Sequence, residues 1–121
     1  MTQDGAEPTT ADPAVELERL RNTTVARIEG LLHERDGIVS SAELVATDDE
    51  HDPEGATLAF EREQIAALLV AARRRLLALD AALQRVRDGS YGVCEGCGAT
   101  IPAGRLLARP DTSTCVACAS R

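Results

Sequence analysis

Leu58, Ile65, Leu68, Ala72, Leu76, Leu79, Leu83 and Val86 follow one another in steps of seven, three, four, four, three, four and three residues. That average lies close to 3.5, the repeat of a coiled-coil seam, and it confines the stretch to one long helix whose apolar stripe needs a partner. Ala66, Ala67, Ala71, Ala78, Ala81 and Ala82 add strong helix propensity. The start signal is Asp52-Pro53, which places the first helical residue between 53 and 57. The stop signal is Asp88-Gly89-Ser90, where glycine takes a left-handed cap. From 57 to 88 such a helix runs roughly 47 Å.

The partner stripe lies upstream. Asp12-Pro13 repeats the start signal, and Leu17, Leu20, Thr24, Ile28 and Leu31 then recur at helical steps of three and four. Gly30 and Gly37 weaken this helix, which is predicted to end or bend near 37–40, with a short helical turn around Ala42–Ala46. Residues 1–11 are polar and non-periodic and read as a flexible arm. Between the stripes sits an acidic cluster, Asp48, Asp49, Glu50, Asp52 and Glu54. Two stripes joined by a short loop are most economically buried as an antiparallel two-helix hairpin over 12–88, with room for a third helix from a partner chain. Apolar residues make up 44% of the chain but come mostly from Ala, Leu and Val, and Phe60 and Tyr91 are the only aromatics. Small side chains suit a helix seam better than a sandwich or barrel core. Phe60 is expected in the seam near the hairpin tip, and Tyr91 between the hairpin and the segment that follows.

That segment, 89–121, holds every cysteine: Cys94-x-x-Cys97 and Cys115-x-x-Cys118, with 17 residues between the pairs. Each two-residue gap lets a pair wrap one face of a tetrahedral ion, so the spacing points to one structural zinc bound by Cys94, Cys97, Cys115 and Cys118. The other readings are four reduced thiols or two disulfides. No signal-peptide pattern opens the chain and no apolar run nears the ~18 residues of a membrane span, so a reducing cytoplasm is expected, where metal binding outweighs disulfides. Gly98 is placed to turn its N–H toward a sulfur, and Arg105 and Arg109 to offset part of the charge of four thiolates.

The stretch "DGSYGVCEGCGATIPAGRLLARPDTSTCVAC" resembles the DksA/TraR family of zinc-finger regulators of bacterial RNA polymerase. The shared features are an aromatic-Gly-x-Cys before the first pair, the Arg-Leu-x-Ala-Arg-Pro run from Arg105 to Pro110, and the closing Cys-x-x-Cys. The resemblance implies a coiled coil that enters the secondary channel of the polymerase with its tip near the active centre, and a zinc module at the base of the hairpin. It implies a partner-binding tip at Asp48, Asp49, Glu50, Asp52 and Glu54, and docking or ligand contacts at Arg105 and Arg109. The family's Asp-x-x-Asp-x-Ala tip is matched in part. Starting at Asp52 it meets Gly55 and Thr57; starting at Asp49 it meets Asp52 and then Glu54 in place of Ala. Arg109 matches an arginine used by members that bind guanosine tetraphosphate. Ala78 and Ala119 are not basic where those members are, which leaves an alarmone site in doubt.

Charge narrows the function classes further. The net charge is −7, and residues 89–121 set three arginines against Glu95 and Asp111, too little for a phosphate-binding face. Direct nucleic-acid or membrane binding is therefore not expected. Four sulfurs close the metal site to substrate, and no Ser/His/Asp or Cys/His set remains once the cysteines are assigned, so the chain does not read as an enzyme. His33 and His51 read as surface residues, and Arg73-Arg74-Arg75 as a solvated helix face. Two readings stand: a regulator that binds RNA polymerase without binding DNA, and a zinc-stabilised coiled-coil adaptor for another protein.

Overall fold

The side chain of Asp12 opens the first helix as expected. Its Oδ1 accepts from the Ala14 N–H at 3.0 Å and its carbonyl from the Val15 N–H at 3.0 Å, while Pro13, which has no N–H, leaves no donor to satisfy. The computed structural model describes residues 12–46 and 53–121. Four helices occur among them: α1 (Pro13–Ala46), α2 (Pro53–Asp88), α3 (Ala103–Ala108) and α4 (Val116–Ala119). There is no strand among the described residues, only one isolated antiparallel bridge between Val93 and Thr100. The two long helices pack together as an antiparallel hairpin, and four cysteines cluster in the segment that follows.

The chain forms two units. One contains residues 23–76. Here Leu31, Ile65, Leu69 and Ala72 make a buried cluster, with Ile28, Leu32 and Ile38 packed on it. The other joins residues up to 22 with residues 77–121. Its core is Leu17, Leu79, Ala82 and Leu83, with Ala14, Leu20, Val86 and Tyr91 against it. Leu17 and Leu79 are wholly buried; sequestering each side chain is worth about 1.5–3 kcal/mol. Across the same pair of helices Arg21 Nε donates to Asp80 Oδ1 at 2.5 Å, but both groups stay substantially exposed and contribute little.

Three expectations are corrected. α1 does not stop near 37–40 but continues to Ala46, absorbing the turn expected at Ala42–Ala46. The weakening by Gly30 and Gly37, about 1 kcal/mol each, is outweighed because Leu31 and Ile38, the residues that directly follow them, pack against α2. The seam runs through Leu69, which is 3% exposed, and not Leu68, which is 42% exposed. With Leu69 in place the stripe Ile65, Leu69, Ala72, Leu76, Leu79, Leu83, Val86 becomes an unbroken alternation of four and three. Phe60 lies outside the seam and is 63% exposed. α2 begins at Pro53 and closes at Asp88, and Gly89 follows at φ +81, the left-handed cap expected from its sequence. The three arginines 73–75 and His33 are exposed.

Candidate metal centre

The exit from α2 sets up the first cysteine pair. The Arg85 carbonyl accepts from both Ser90 N–H (2.9 Å) and Tyr91 N–H (3.1 Å), turning the chain back. Tyr91 packs on the helix core and donates its hydroxyl to the Pro110 carbonyl at 2.8 Å, which fastens the end of α3 to the hairpin. Burial, the largest influence on that phenol, pushes its pKa up, while the nearby Arg85 charge lowers it. Ile101, 2% exposed, is the deeply buried aliphatic side chain of this segment.

Cys94 then sits in a tight turn. Its N–H donates to the Ala99 carbonyl at 2.8 Å, and its own carbonyl accepts from Gly98 N–H at 2.9 Å. Gly98 has φ +78, so glycine is needed there for backbone reasons, but its N–H points to a carbonyl and not to sulfur. The N–H groups that reach sulfur are those of Gly96 and Cys115, each 3.3 Å from Cys94 Sγ. Cys115 is extended and caps the short α4 that carries Cys118. The four Sγ atoms lie within 4.8 Å of one another, Cys94 is buried, Cys97 is exposed and the other two are intermediate. None of the four is joined in a disulfide.

This donor set fits zinc. A tetrahedron with Zn–S near 2.3 Å has an edge of about 3.8 Å, and Cys97 Sγ and Cys115 Sγ stand 3.9 Å apart. The electrostatics agree. The N–H of Cys115 on its sulfur, aided by those of Cys97 and Gly96 and opposed by burial, holds the Cys94 thiol down to about 6. The N–H of Cys118 likewise lowers Cys115, whereas hydrogen bonding to the Cys94 sulfur pushes Cys118 up to about 12. Without a cation, then, neighbouring sulfurs compete for charge. A bound zinc ion supplies the positive charge that allows all four to be thiolates. Four sulfur donors fill a tetrahedral shell, which makes the role structural.

The expected charge-offsetting arginines are placed differently. Arg105 Nε donates to the Thr114 carbonyl at 2.8 Å and its Nη2 to Thr112 Oγ1 at 3.1 Å, so it braces the approach to Cys115. Arg109 is exposed at the end of α3. The guanidinium that touches sulfur is Arg121, with Nη2 3.1 Å from Cys118 Sγ. Among the acidic candidates, Glu54 is exposed at the second position of α2, while Asp48, Asp49, Glu50 and Asp52 lie outside the described residues.

Gly96 carries a constraint that its position inside Cys-x-x-Cys did not advertise. A Cβ there would fall 2.8 Å from Cys118 Sγ and 3.1 Å from Cys118 Cβ, atoms that the cluster cannot move aside. Gly96→Ala is expected to weaken zinc binding about 10- to 100-fold, the range for changes beside metal ligands. Gly104, with nothing within 4 Å and ordinary φ, is the matched control. Competition with a chromogenic chelator measures both, and equal affinities for the two variants would refute the clash.

Known proteins share this arrangement. Residues 89–121 match the prokaryotic dksA/traR C4-type zinc finger. An uncharacterized Aquifex aeolicus protein is 49% identical over 41 residues, 34% of this chain and 28% of its own. Bacillus subtilis YteA is 38% identical over 66 residues, 54% of this chain and 28% of its own length. The RNA polymerase-binding transcription factor DksA of Caulobacter vibrioides is 48% identical over 44 residues, 36% of this chain and 31% of that protein. The match thus spans less than a third of each of these curated relatives. The structure of transcription factor DksA2 from Pseudomonas aeruginosa superposes with a TM-score of 0.74 at 27% identity, over 98% of this chain and 89% of that one. Residues 89–121 are thus a zinc finger of the DksA/TraR type, and along nearly its whole length the chain is similar in fold to DksA2.

Proposed function

We propose that this chain binds bacterial RNA polymerase at its secondary channel, without contacting DNA, and regulates transcription through the acidic cluster of residues 48–54. The observation that carries the reading is the likeness to DksA2 along 98% of the chain, since it extends the family resemblance from the finger to the hairpin. The charge supports a protein partner over nucleic acid: the net charge is −7, and neutralising phosphates requires clustered cations. Phe60, 63% exposed in the second turn of α2, offers an aromatic anchor of the kind that protein interfaces bury. The site of action is the cytoplasm, where the polymerase is; no helix among the described residues is long and apolar enough to cross a membrane. The protein acts as a regulator and not as an enzyme, because four sulfurs leave its metal no open position.

In this reading the carboxylates of Asp48, Asp49, Glu50, Asp52 and Glu54 act on the polymerase, while the finger, with Arg105 behind it and Arg109 on its surface, docks the base. Asp49→Asn combined with Asp52→Asn is expected to abolish the effect on in-vitro transcription and leave polymerase affinity within about threefold, because a long-range surface charge change costs little binding energy. Competition binding and transcription assays on the same preparation check both halves. Normal regulation by the double variant would reduce the acidic cluster to a solvated loop. Capture of a partner other than polymerase subunits from native lysate, with no polymerase bound, would favour the adaptor reading.

A further inference from the structure

Arg85 is the one charged side chain buried among the described residues, 9% exposed in the last turn of α2. A guanidinium is taken out of water at substantial cost unless hydrogen bonds replace the lost hydration. Its replacements both come from the cysteine segment. Nη2 donates to the Thr112 carbonyl at 3.2 Å, a contact buried from solvent. Nη1 stands 3.7 Å from Glu95 Oε2, a carboxylate that is 59% exposed. The carbonyl is therefore the principal partner, and the ion pair a minor one.

The positions of these partners matter more than their strength. Glu95 directly follows Cys94, and its N–H donates to the Ser113 carbonyl at 2.9 Å. Thr112 precedes Cys115 by three residues and is itself buried; its hydroxyl accepts from Arg105. One side chain from the long helix thus grips both segments that deliver a cysteine pair, at the point where they are hydrogen-bonded to each other.

We propose that Arg85 is a positioning residue of the metal centre: it holds the Thr112–Cys115 approach against Cys94–Glu95, and so ties metal occupancy to the last turn of α2. The inference rests on the zinc centre and stands apart from the polymerase reading. Because coupling between two equilibria is reciprocal, the finger must stabilise the end of α2 only when it is loaded, and by the same factor that Arg85 strengthens metal retention.

The test uses the full chain, loaded and chelator-stripped. Arg85→Met keeps the stem length and removes the donors; Arg85→Lys keeps the charge with a single donor group in place of the fork. Zinc affinity by chelator competition is expected to fall about 10- to 100-fold in Arg85→Met, as for other residues that orient ligands, and by an intermediate factor in Arg85→Lys. The helical melting temperature is expected to drop in the loaded Arg85→Met protein and to stay unchanged in the stripped one. A purely structural arginine would lower both. Zinc affinity within threefold of the native protein, or equal drops in melting temperature with and without zinc, overturns the proposal. If Arg85→Met is not recovered folded, Arg85→Lys decides: weakened retention with an unchanged metal-free melt supports the role, and native retention overturns it.

Discussion

Removing zinc is expected to unfold residues 89–121 and, under the function proposed above, to end polymerase binding. The reason is the poverty of that segment's own core. Its helices have six and four residues, neither contains a buried residue, and its only ladder is the single Val93–Thr100 bridge. Beyond the metal cluster, Ile101 is its only deeply buried apolar side chain. Structural zinc sites in small modules contribute on the order of 10–16 kcal/mol at neutral pH, far more than such a core supplies. Cys97→Ser or Cys115→Ser is expected to reproduce the effect, and native mass spectrometry should show one zinc per unmodified chain and none in the variants. Much helical signal should persist, since the cluster around Leu31, Ile65, Leu69 and Ala72 includes no residue of the finger. An ordered finger in metal-free protein, or two disulfides in freshly purified protein, would contradict this account.

The second large effect belongs to the seam. Leu79→Ala removes a side chain with no exposed surface and is expected to cost about 2–5 kcal/mol, the range for truncations that leave a cavity. Leu69→Ala, at 3% exposure, should fall in the same range. Its neighbour is the informative comparison. Leu68→Ala, at 42% exposure, is expected to cost under about 0.5 kcal/mol, as surface changes do. Chemical denaturation of the zinc-loaded protein measures all three. A loss at Leu68 equal to that at Leu69 would mean that the helix faces its partner in a different rotation.

Leu68 also shows where reading the sequence falls short. Counting seven residues on from Leu58 reaches Ile65, and the next step of three or four offers two adjacent leucines of identical hydrophobicity. Only the packing of Leu31 and its neighbours on the facing helix decides between them, and that is a matter of three-dimensional register. The continuation of α1 through Gly30 and Gly37 was hidden for a related reason: propensity is local, whereas the contacts of Leu31 and Ile38 that override it are not. Where a signal is tied to one residue's backbone, as at Asp12-Pro13, Pro53 and Gly89, the reading and the structure coincide. The same holds for the cysteines, whose spacing alone implied the cluster. Arg85 gives no sign of its role in the sequence, because a charged residue on a helix ordinarily faces water. The constraint on Gly96 is equally silent, because a clash between a Cβ there and Cys118, 22 residues away in sequence, leaves no local mark.

The unequal burial around the four sulfurs has a kinetic consequence. Cys94 has 1% of its surface exposed, and its Sγ is wrapped by two N–H groups, whereas Cys97 faces solvent. An incoming chelator or competing thiol meets Cys97 as the most exposed of the four sulfurs and Cys94 as the least, so ligand exchange has a front door. Detachment there begins metal loss, and the Cys94 sulfur is the last to let go. The lifetime of the folded finger during metal competition is therefore set at its most accessible corner, however firmly the opposite corner is held.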